Sequence, residues 1–187
     1  METAIRRIGN LPSNYEKIAY IWNDPKEKVI VPERCYFKKV TPELENTFKE
    51  IISRVVINSL DREDKKHITP ESHCELVDNI FNVDEEYFHF EKEWWELAYY
   101  QEEIVGLIQP VAFKGCEKNG LMEGTIHYIG VVPEFRGKGF INDLLLRTTR
   151  LLQDLGVWRI YADTDVENVP MRNAFEKAGY EERKKSS

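Results

Sequence analysis

One stretch constrains the fold more than any other: a β-rich run that passes through a proline, an arginine and two glycines into an amphipathic segment. The run "GTIHYIGVV" covers residues 124–132, and the loop after it holds Arg136, Gly137 and Gly139. Leucines then recur at helical spacing over residues 140–155. We therefore predict a strand, a turn and a helix in direct succession.

Such a turn suits an anionic ligand. The first N–H groups of a helix have no partner within it, and the helix dipole makes that end positive. Gly137 and Gly139 let the backbone approach a ligand without a Cβ in the way, and Arg136 and Lys138 add charge. The pattern is neither a P-loop, which needs Ser or Thr after the lysine, nor a GxGxxG fingerprint. A phosphate or pyrophosphate site and an ordinary strand-to-helix turn both stay open.

The segments around this turn predict an α/β fold. Two β-rich runs precede it, at residues 94–101 and 102–113, and the charged or glycine-containing turns between them favour antiparallel strands. After the helix, residues 157–165 are typical of a strand and residues 168–180 of a helix. A strand, helix, strand order implies a right-handed parallel crossover. We expect a mixed sheet, antiparallel first and parallel later.

The first half of the chain gives weaker signals. Helices are predicted over residues 41–60 and 69–81, each of which opens with Thr-Pro-Glu. Residues 14–22 could form a short helix, and residues 28–40 are interpreted as one or two strands broken by Pro32.

Three smaller segments carry predictions of their own. Gly106 and Pro110, inside a predicted strand, indicate a bulge, a bend or an edge. Residues 61–67, "DREDKKH", are interpreted as a solvated turn. Residues 181–187 are expected to form a short final strand that frays.

Composition excludes several classes of protein. A chain of 187 residues with 42% hydrophobic residues can form one domain with a core. Its net charge of -7 argues against binding of nucleic acid or an anionic membrane. Cys35, Cys74 and Cys116 show neither a disulfide framework nor a metal or redox motif. No apolar run approaches the ~20 residues of a membrane helix, and no signal peptide is evident, so the expected location is cytoplasmic.

Residues 124–180 resemble the GNAT-superfamily N-acetyltransferases. Motif A of that family is a strand ending in Val-x-Pro, an (Arg/Gln)-x-x-Gly-x-(Gly/Ala) loop and an amphipathic helix. Here residues 131–133 read Val-Val-Pro, and residues 136–141 read Arg-Gly-Lys-Gly-Phe-Ile. Motif B, an asparagine followed by a helix that ends in Gly-aromatic, matches Asn168 and residues 179–180.

The resemblance implies a GNAT-like acyl-CoA N-acyltransferase fold: a mostly antiparallel central sheet with one splayed parallel pair, flanked by helices. It implies one domain over residues 1–187. Residues 1–34 would be an N-terminal extension, residues 35–93 a variable acceptor-side region, and residues 94–180 the core with both motifs. Many relatives continue with another strand after Gly-aromatic, so this sheet edge is expected to be short or completed by a partner subunit.

The implied cosubstrate is acetyl-CoA, with no metal. The loop amides of residues 137–142 would hold its pyrophosphate, and a strand splayed at Ile129 and Val131 would pair with pantetheine. The Val131 N–H could stabilise the oxyanion of the thioester. The residues expected at the cofactor are Ile129, Val131, Arg136, Gly137, Lys138, Gly139, Phe140, Ile141, Asn142, Asn168 and Phe175.

Two positions depart from the family pattern. Ile141 stands where the loop usually has a small residue, which restricts the approach of a phosphate. Phe175 stands where many members have a tyrosine thought to protonate the departing thiolate. Another donor, water or no dedicated acid would then complete the reaction.

A catalytic base would also be useful. A lysine-like amine with a pKa of about 10.4 lies roughly 3.4 units above pH 7, which corresponds to about 4.6 kcal/mol. Thr125 occupies the position of a family glutamate and cannot be a base. His127, two residues along and on the same face, has a suitable ordinary pKa of about 6.5 and is our catalytic candidate. Packing is its alternative role, and Glu123 is a weaker candidate.

Other residues are expected to be structural. At most one of Trp94 and Trp95 lines an acceptor pocket, since neighbours on a strand face opposite ways. The irregular spacing of His67, His73 and Cys74 argues against a metal site.

The leading hypothesis is acetyl transfer to a primary amine of a small molecule or protein, by direct attack in a ternary complex, in a monomer or homodimer. A non-catalytic acyl-CoA-binding sensor is the alternative from another class, and a nucleotide-phosphate binder is a third.

Overall fold

The computed structural model describes residues 16–23, 27–66 and 72–183. The strands are β1 (Lys17–Asn23), β2 (Tyr36–Lys39), β3 (Phe88–His89), β4 (Glu96–Tyr100), β5 (Glu103–Lys118), β6 (Leu121–Val131), β7 (Arg159–Asp165) and β8 (Glu181–Glu182). The α-helices are α1 (Glu45–Val56), α2 (Arg62–Lys66), α3 (His73–Phe81), α4 (Phe140–Asp154) and α5 (Val169–Lys177).

These strands form one sheet in the order β2-β4-β5-β6-β7-β1-β8, and β3 pairs with β5. Its strand pairs are antiparallel except β6 with β7, which are parallel and joined through α4. The predicted mixed α/β fold, antiparallel first and parallel at one crossover, is confirmed.

Helices cover both faces of the sheet. Along β5, Leu107 packs in a buried cluster with α1 and α3, whereas its neighbour Ile108 packs in a cluster with α4. Successive side chains of a strand point to opposite faces, so α1 and α3 lie on one face and α4 on the other. Gly130 shows how closely α1 approaches, because a Cβ there would stand 2.1 Å from Val55 Cγ1.

The predicted helices are present but shorter. The helix predicted over residues 41–60 is a 3-10 turn, Pro42–Leu44, followed by α1. That helix ends at Val56 because Ile57 adopts an extended ψ of 123°, and Asn58 then has a left-handed φ of 56°. The helix predicted over residues 69–81 begins at His73, and residues 69–71 lie outside the described ranges. Of residues 28–40, only Tyr36–Lys39 form a strand.

The short helix considered for residues 14–22 is wrong for its described part. Residues 17–22 lie in β1, which pairs along its whole length with β7. Ile18, Tyr20 and Trp22 alternate along the strand and pack in the cluster beneath α5. That period of two is the strand signal that the sequence contained.

This strand also settles what lies beside β7. β8 has only two residues and pairs with β1, so β1 of the same chain stands between β7 and β8. A partner subunit is therefore not what continues the sheet beyond β7. The final strand is short, as predicted, and residues 184–187 lie outside the described ranges.

Bulges interrupt the pairing of β5 with its two neighbours at Gly106 and Pro110, as predicted. The register shifts opposite Gly106 and again between Gln109 and Pro110. At the second shift, β6 carries one residue more than β5, at His127.

Within the described ranges, no helix has the length and apolarity that a membrane crossing needs.

Candidate functional site

A cleft opens where the parallel strands separate. β6 and β7 pair only over residues 123–125 and 159–161, although β6 continues to Val131 and β7 to Asp165. The other edge of β7 stays paired with β1 over residues 159–165, so the gap opens between β6 and β7 alone. The cleft has a volume of about 1070 Å³, which is ample for a cofactor-sized ligand.

The register shows which peptide groups face this cleft. The Val132 N–H donates to the Val105 carbonyl at 3.0 Å, so residue 132 and its alternate neighbours bond to β5. The N–H and C=O groups of Ile129 and Val131 therefore point the other way, into the gap left by β7. The predicted splay of residues 129–131 is thus present. The Ile129 peptide group and the Val131 N–H face the cleft, whereas the Val131 carbonyl accepts from Arg136 Nε at 3.0 Å.

The loop before α4 borders the same cleft. Gly137 and Gly139 adopt left-handed φ values of 73° and 81°, which L-residues rarely adopt. Gly139 is the N-cap residue of α4 and supplies no side chain to the helix end, and the Asn142 amide group donates to the Gly139 carbonyl at 3.1 Å. The loop thus brings the first-turn N–H groups of a 15-residue helix to the cleft without a covering side chain.

Most of the residues predicted to bind the cofactor line this cleft. All of them except Lys138 line the cleft, and so does His127. The Lys138 ammonium lies 4.8 Å from the centre of the Phe135 ring on the exposed side of the loop.

Arg136 lines the cleft but directs its guanidinium elsewhere. Its Nη2 donates to the Val55 carbonyl at 2.7 Å, and its Nη1 donates to the carbonyls of Ile57 and Asn58. Its Nε donates to the Val131 carbonyl at 3.0 Å. The side chain therefore fastens the loop to the C-terminal end of α1, where carbonyls lack helical partners.

Arg34 helps to hold the loop before α4, a role that the sequence did not predict. Its Nε donates to Asp143 Oδ2 at 2.7 Å, its Nη1 donates to the Lys138 carbonyl at 3.1 Å, and its Nη2 also contacts Asp143. Its guanidinium lies 4.0 Å above the Phe140 ring. Arg34 therefore neutralises the one carboxylate of the first turn of α4 and clamps the loop from outside. No local motif marks it, because 104 residues separate it from Lys138.

The motif B residues lie on the opposite wall. Asn168 is the N-cap of α5, and its side-chain oxygen accepts from the Met171 N–H at 3.3 Å. Phe175 is buried between Tyr20, stacked at 4.7 Å, and Tyr180, edge-on at 5.1 Å. The sequence predicted Phe175 at the cleft, but its stacking partner comes from β1 and was not foreseen.

The catalytic candidates differ in their surroundings. His127 lies at the bulge of β6, half-buried, with its ring edge-on to Phe88 at 5.7 Å. Thr125 lines the cleft beside it. Glu123 is buried and accepts from Arg159 Nε at 2.6 Å in the paired part of β6, so its charge is already matched.

A carboxylate from α2 enters the cleft, which the sequence did not predict. Asp64 Oδ2 accepts from Ser59 Oγ at 2.7 Å and from the Tyr128 hydroxyl at 3.0 Å. Burial raises the pKa of Asp64, and these two bonds oppose part of the rise. Burial and the adjacent carboxylate raise the pKa of Tyr128 well above its ordinary value. The interpretation of residues 61–67 as a solvated turn is therefore wrong for residues 61–66; His67 lies outside the described ranges.

More charge surrounds this carboxylate. Burial raises the pKa of Asp61 to about 6, although its Oδ1 accepts from the Glu63 N–H. Lys17 Nζ, on β1, lies 3.0 Å from Glu63 Oε2 and 3.1 Å from Asp163 Oδ1. These two ion pairs tie α2 to β1 and β7. This side of the cleft is acidic, with one lysine bridging its carboxylates.

A buried ion pair holds α2 in place. Arg62 donates from Nε and Nη2 to the two oxygens of Asp165 at 2.7 and 2.8 Å, and the Arg62 N–H donates to Asp165 Oδ2 at 3.0 Å. The Asp165 side chain is 0% exposed. The end of β7 thus positions the acidic helix beside the open edge of β6.

The remaining candidates lie elsewhere. Trp95 is 0% exposed and stacks on Phe90 and Phe48, while Trp94 packs edge-on to His89, so core packing is the role of Trp95. His73 Nε2 lies 2.7 Å from Ser53 Oγ. In the part of the chain that the structure describes, no group of His, Cys, Asp and Glu side chains has the arrangement of a metal site.

Comparison with known proteins agrees with this architecture. The model of the Acetyltransferase (GNAT) family matches residues 57–180. Over 57 residues the chain is 33% identical to the mycothiol acetyltransferase of Pseudarthrobacter chlorophenolicus, which covers 30% of this chain and 18% of that protein. The chain thus spans less than a fifth of that curated relative's length.

Solved structures share the fold at low identity. A GCN5-related N-acetyltransferase from Sphaerobacter thermophilus has a TM-score of 0.54 at 18% identity, over 90% of this chain and 50% of that one. A GNAT-family acetyltransferase from Colwellia psychrerythraea has a TM-score of 0.60 at 12% identity, over 91% and 54%. AAC(6')-Iy, in complex with the bisubstrate analogue CoA-S-monomethyl-acetylneamine, has a TM-score of 0.53 at 15% identity, over 82% and 95%.

Proposed function

The chain belongs to the acetyltransferase (GNAT) family, and on that premise we propose that it transfers an acetyl group from acetyl-CoA to a primary amine of a small molecule or protein. One observation carries the proposal. The open peptide edge of β6 and the left-handed glycines before α4 lie along the same cleft. A peptide-like arm joined to a diphosphate needs these two features side by side.

The backbone supplies the proposed donor site. Acetyl-CoA brings the thioester whose acetyl group is transferred. The N–H groups of residues 137–141 would hold the pyrophosphate at the positive end of α4, and the Ile129 peptide group would pair with pantetheine. The Asn142 N–H, also expected there, instead donates to the Gly139 carbonyl at 3.1 Å. The Val131 N–H would then donate to the thioester oxygen as negative charge develops on it. In this arrangement Arg136 and Arg34 hold the loop in shape, and Lys138 adds positive potential from the exposed side.

The amine would attack directly in a ternary complex, from the acidic side of the cleft. It must be neutral to do so, and His127 is the base that the sequence offers. If His127 were the base, replacing it with alanine would remove a limb of the pH–rate profile near the ordinary histidine pKa of about 6.5. An unchanged profile would leave His127 with a packing role against Phe88. Phe175 has no proton to give, so the thiolate would take one from the amine or from water.

Two measurements test the proposal. Coenzyme A should raise the melting temperature by binding only the folded chain, and ATP should not. Thiol release from acetyl-CoA should then appear with at least one member of an amine panel that holds a polyamine, an aminoglycoside, an amino acid and a peptide with a free N-terminus. An aminoglycoside is included because the AAC(6')-Iy structure holds a neamine derivative.

A non-catalytic acyl-CoA sensor is the second candidate. The observation that favours it is the pair Thr125 and Phe175, because neither residue can move a proton at the positions where many relatives do so. Under this alternative coenzyme A stabilises the chain while no amine releases thiol. ATP protection without coenzyme A protection would contradict both candidates and indicate a nucleotide-phosphate binder.

A further inference from the structure

The carboxylate of Asp64 is held in an unusual way for a residue of a five-residue surface helix. Ser59 Oγ and the Tyr128 hydroxyl both donate to Oδ2. Oδ1 accepts no hydrogen bond from the described part of the chain. The carboxyl group is therefore fixed by one oxygen while the other has acceptor capacity left.

Tyr128 links this carboxylate to the donor edge. It lies on β6, next to Ile129 and three residues before Val131, and Ser59, Asp64 and Tyr128 all line the cleft. Its hydroxyl thus holds Asp64 beside the strand whose open peptide groups would receive the thioester.

We propose that Asp64 is the general base that takes a proton from the acceptor amine, with Tyr128 and Ser59 as its positioning residues. This inference rests on the proposed acetyl transfer and names a residue for the same cleft. A base must be fixed and must keep acceptor capacity for the proton that it removes; Asp64 is fixed through Oδ2, keeps that capacity on Oδ1 and lines the cleft. His127, by comparison, turns its ring edge-on to Phe88.

The proton balance also accounts for Phe175. The ammonium gives one proton to Asp64 Oδ1 and becomes a neutral amine. Its nitrogen attacks the thioester carbon, an N–C bond forms and the C–S bond breaks. The second nitrogen proton passes to the thiolate, which leaves as free thiol, and Asp64 returns its proton to solvent. No phenol at position 175 is needed in this sequence.

The charges around Asp64 set the pH range in which it works. Lys17 on β1 favours its ionised form, and Glu63 on α2 opposes it. Asp61 contributes another carboxyl group to the same wall, and the Tyr128 hydroxyl on β6 donates to the charged form. The activity should therefore fall as pH drops through the raised pKa of Asp64.

The main experiment is Asp64→Asn, assayed by thiol release with the best amine of the panel. The variant keeps the shape and an acceptor for Ser59 and Tyr128 but cannot take a proton. We expect kcat/KM to fall about 100-fold at pH 7. The remaining rate should rise about tenfold per pH unit toward the pKa of the amine, because only free amine then reacts. Coenzyme A should stabilise the variant as it does the parent.

Tyr128→Phe tests the positioning role. Loss of its bond should raise the pKa of Asp64, so the acidic limb of kcat/KM should move to higher pH, by about one unit for one charge-assisted bond. A purely structural tyrosine would change the rate without moving the limb.

Asp78→Asn is the matched control for Asp64→Asn, because Asp78 lies on α3 outside the cleft and pairs with Lys49.

The outcomes distinguish a failure of the Asp64 assignment from a failure of the proposed acetyl transfer. If Asp64→Asn keeps the acidic limb and loses less than threefold in kcat/KM, Asp64 is not the base. If His127→Ala instead abolishes that limb, the proton goes to His127. If the parent chain binds coenzyme A but releases no thiol with any amine, the transferase assignment itself fails, and this inference fails with it.

Discussion

The two walls of the cleft present different chemical groups. On the proposed donor wall, peptide groups face the cleft: the edge of β6 and the glycine loop before α4. On the proposed acceptor wall side chains face it, namely Asp61, Glu63 and Asp64 with Lys17 between carboxylates. The donor wall is contiguous in sequence, whereas the acceptor wall is assembled from β1, α2, β6 and β7.

This difference determines how each wall responds to substitution. A backbone site depends on φ angles and helix ends, so it changes only when the loop conformation changes. A side-chain site depends on burial and on ion pairs that hold its elements together. Variants of the two walls should therefore separate cofactor binding from stability.

The largest effect should come from Arg62→Ala. It leaves the fully buried carboxylate of Asp165 without its cation, and breaking a buried pair in this way costs about 3–5 kcal/mol. Urea denaturation at pH 7 measures the loss. Lys49→Ala, which removes a partly exposed pair with Asp78, should cost less than about 1 kcal/mol. Equal losses in the two variants would contradict the special position of α2.

The pH dependence of that loss is a further test. Burial alone would raise the pKa of Asp165, but the bonds from Arg62 and the Glu167 N–H hold it below its ordinary value. A depressed carboxyl pKa stabilises the fold above the unfolded value of about 3.9 and ceases to do so as pH falls through the folded value. The gap between the parent and Arg62→Ala should therefore narrow under acid conditions.

The second-largest effect should be a loss of coenzyme A affinity on substitution in the proposed donor wall. Gly137→Val and Gly156→Val place valine at left-handed φ values of 73° and 77°, and a Cβ at either site meets nothing within 4 Å. Their strain should be similar, about 1–3 kcal/mol. Only Gly137 lines the cleft, so it alone should weaken coenzyme A binding, by about 100-fold, or about 2.7 kcal/mol. Calorimetric titration measures this, and equal affinities would place the pyrophosphate elsewhere.

The sequence predicted the backbone geometry of the proposed donor wall because its determinants are local. The order from residue 124 to 180, the splay at residues 129–131 and the glycine turn all follow from neighbours in the chain. The acceptor wall follows from contacts across 64 residues, between Asp64 and Tyr128, or 103, between Arg62 and Asp165. The alternation of Ile18, Tyr20 and Trp22 did indicate β1, but its place beside β7 depends on tertiary packing.

The third effect should be a gain in stability from Asp61→Asn. A carboxyl whose pKa rises from 3.8 to about 6 on folding costs stability increasingly as pH rises from 3.8, and the cost is complete above about 6. The amide avoids this cost and still accepts from the Glu63 N–H, so we expect about 1–2 kcal/mol at pH 7 and little change at pH 4. Asp84→Asn is the matched control, because Asp84 makes the same bond to the Glu86 N–H but is exposed. A gain that persists at pH 4 would point to a cause other than ionisation.

The smallest effect should come from Arg34, which reaches the donor wall through a side chain. Arg34→Met removes the clamp on the Lys138 carbonyl and leaves Asp143 uncompensated in the first turn of α4. A bare carboxylate there opposes an anion at the helix end, so coenzyme A affinity should fall about three- to fivefold, less than 1 kcal/mol. Arg150→Met is the control, since the Arg150 side chain is similarly exposed, 35% against 37%, but pairs with Asp154 at the far end of α4. Equal affinity changes in the two variants would mean that net charge, and not the clamp, sets the strength of the site. A loss confined to Arg34→Met would show that even a wall of peptide groups depends on one distant side chain to hold its shape.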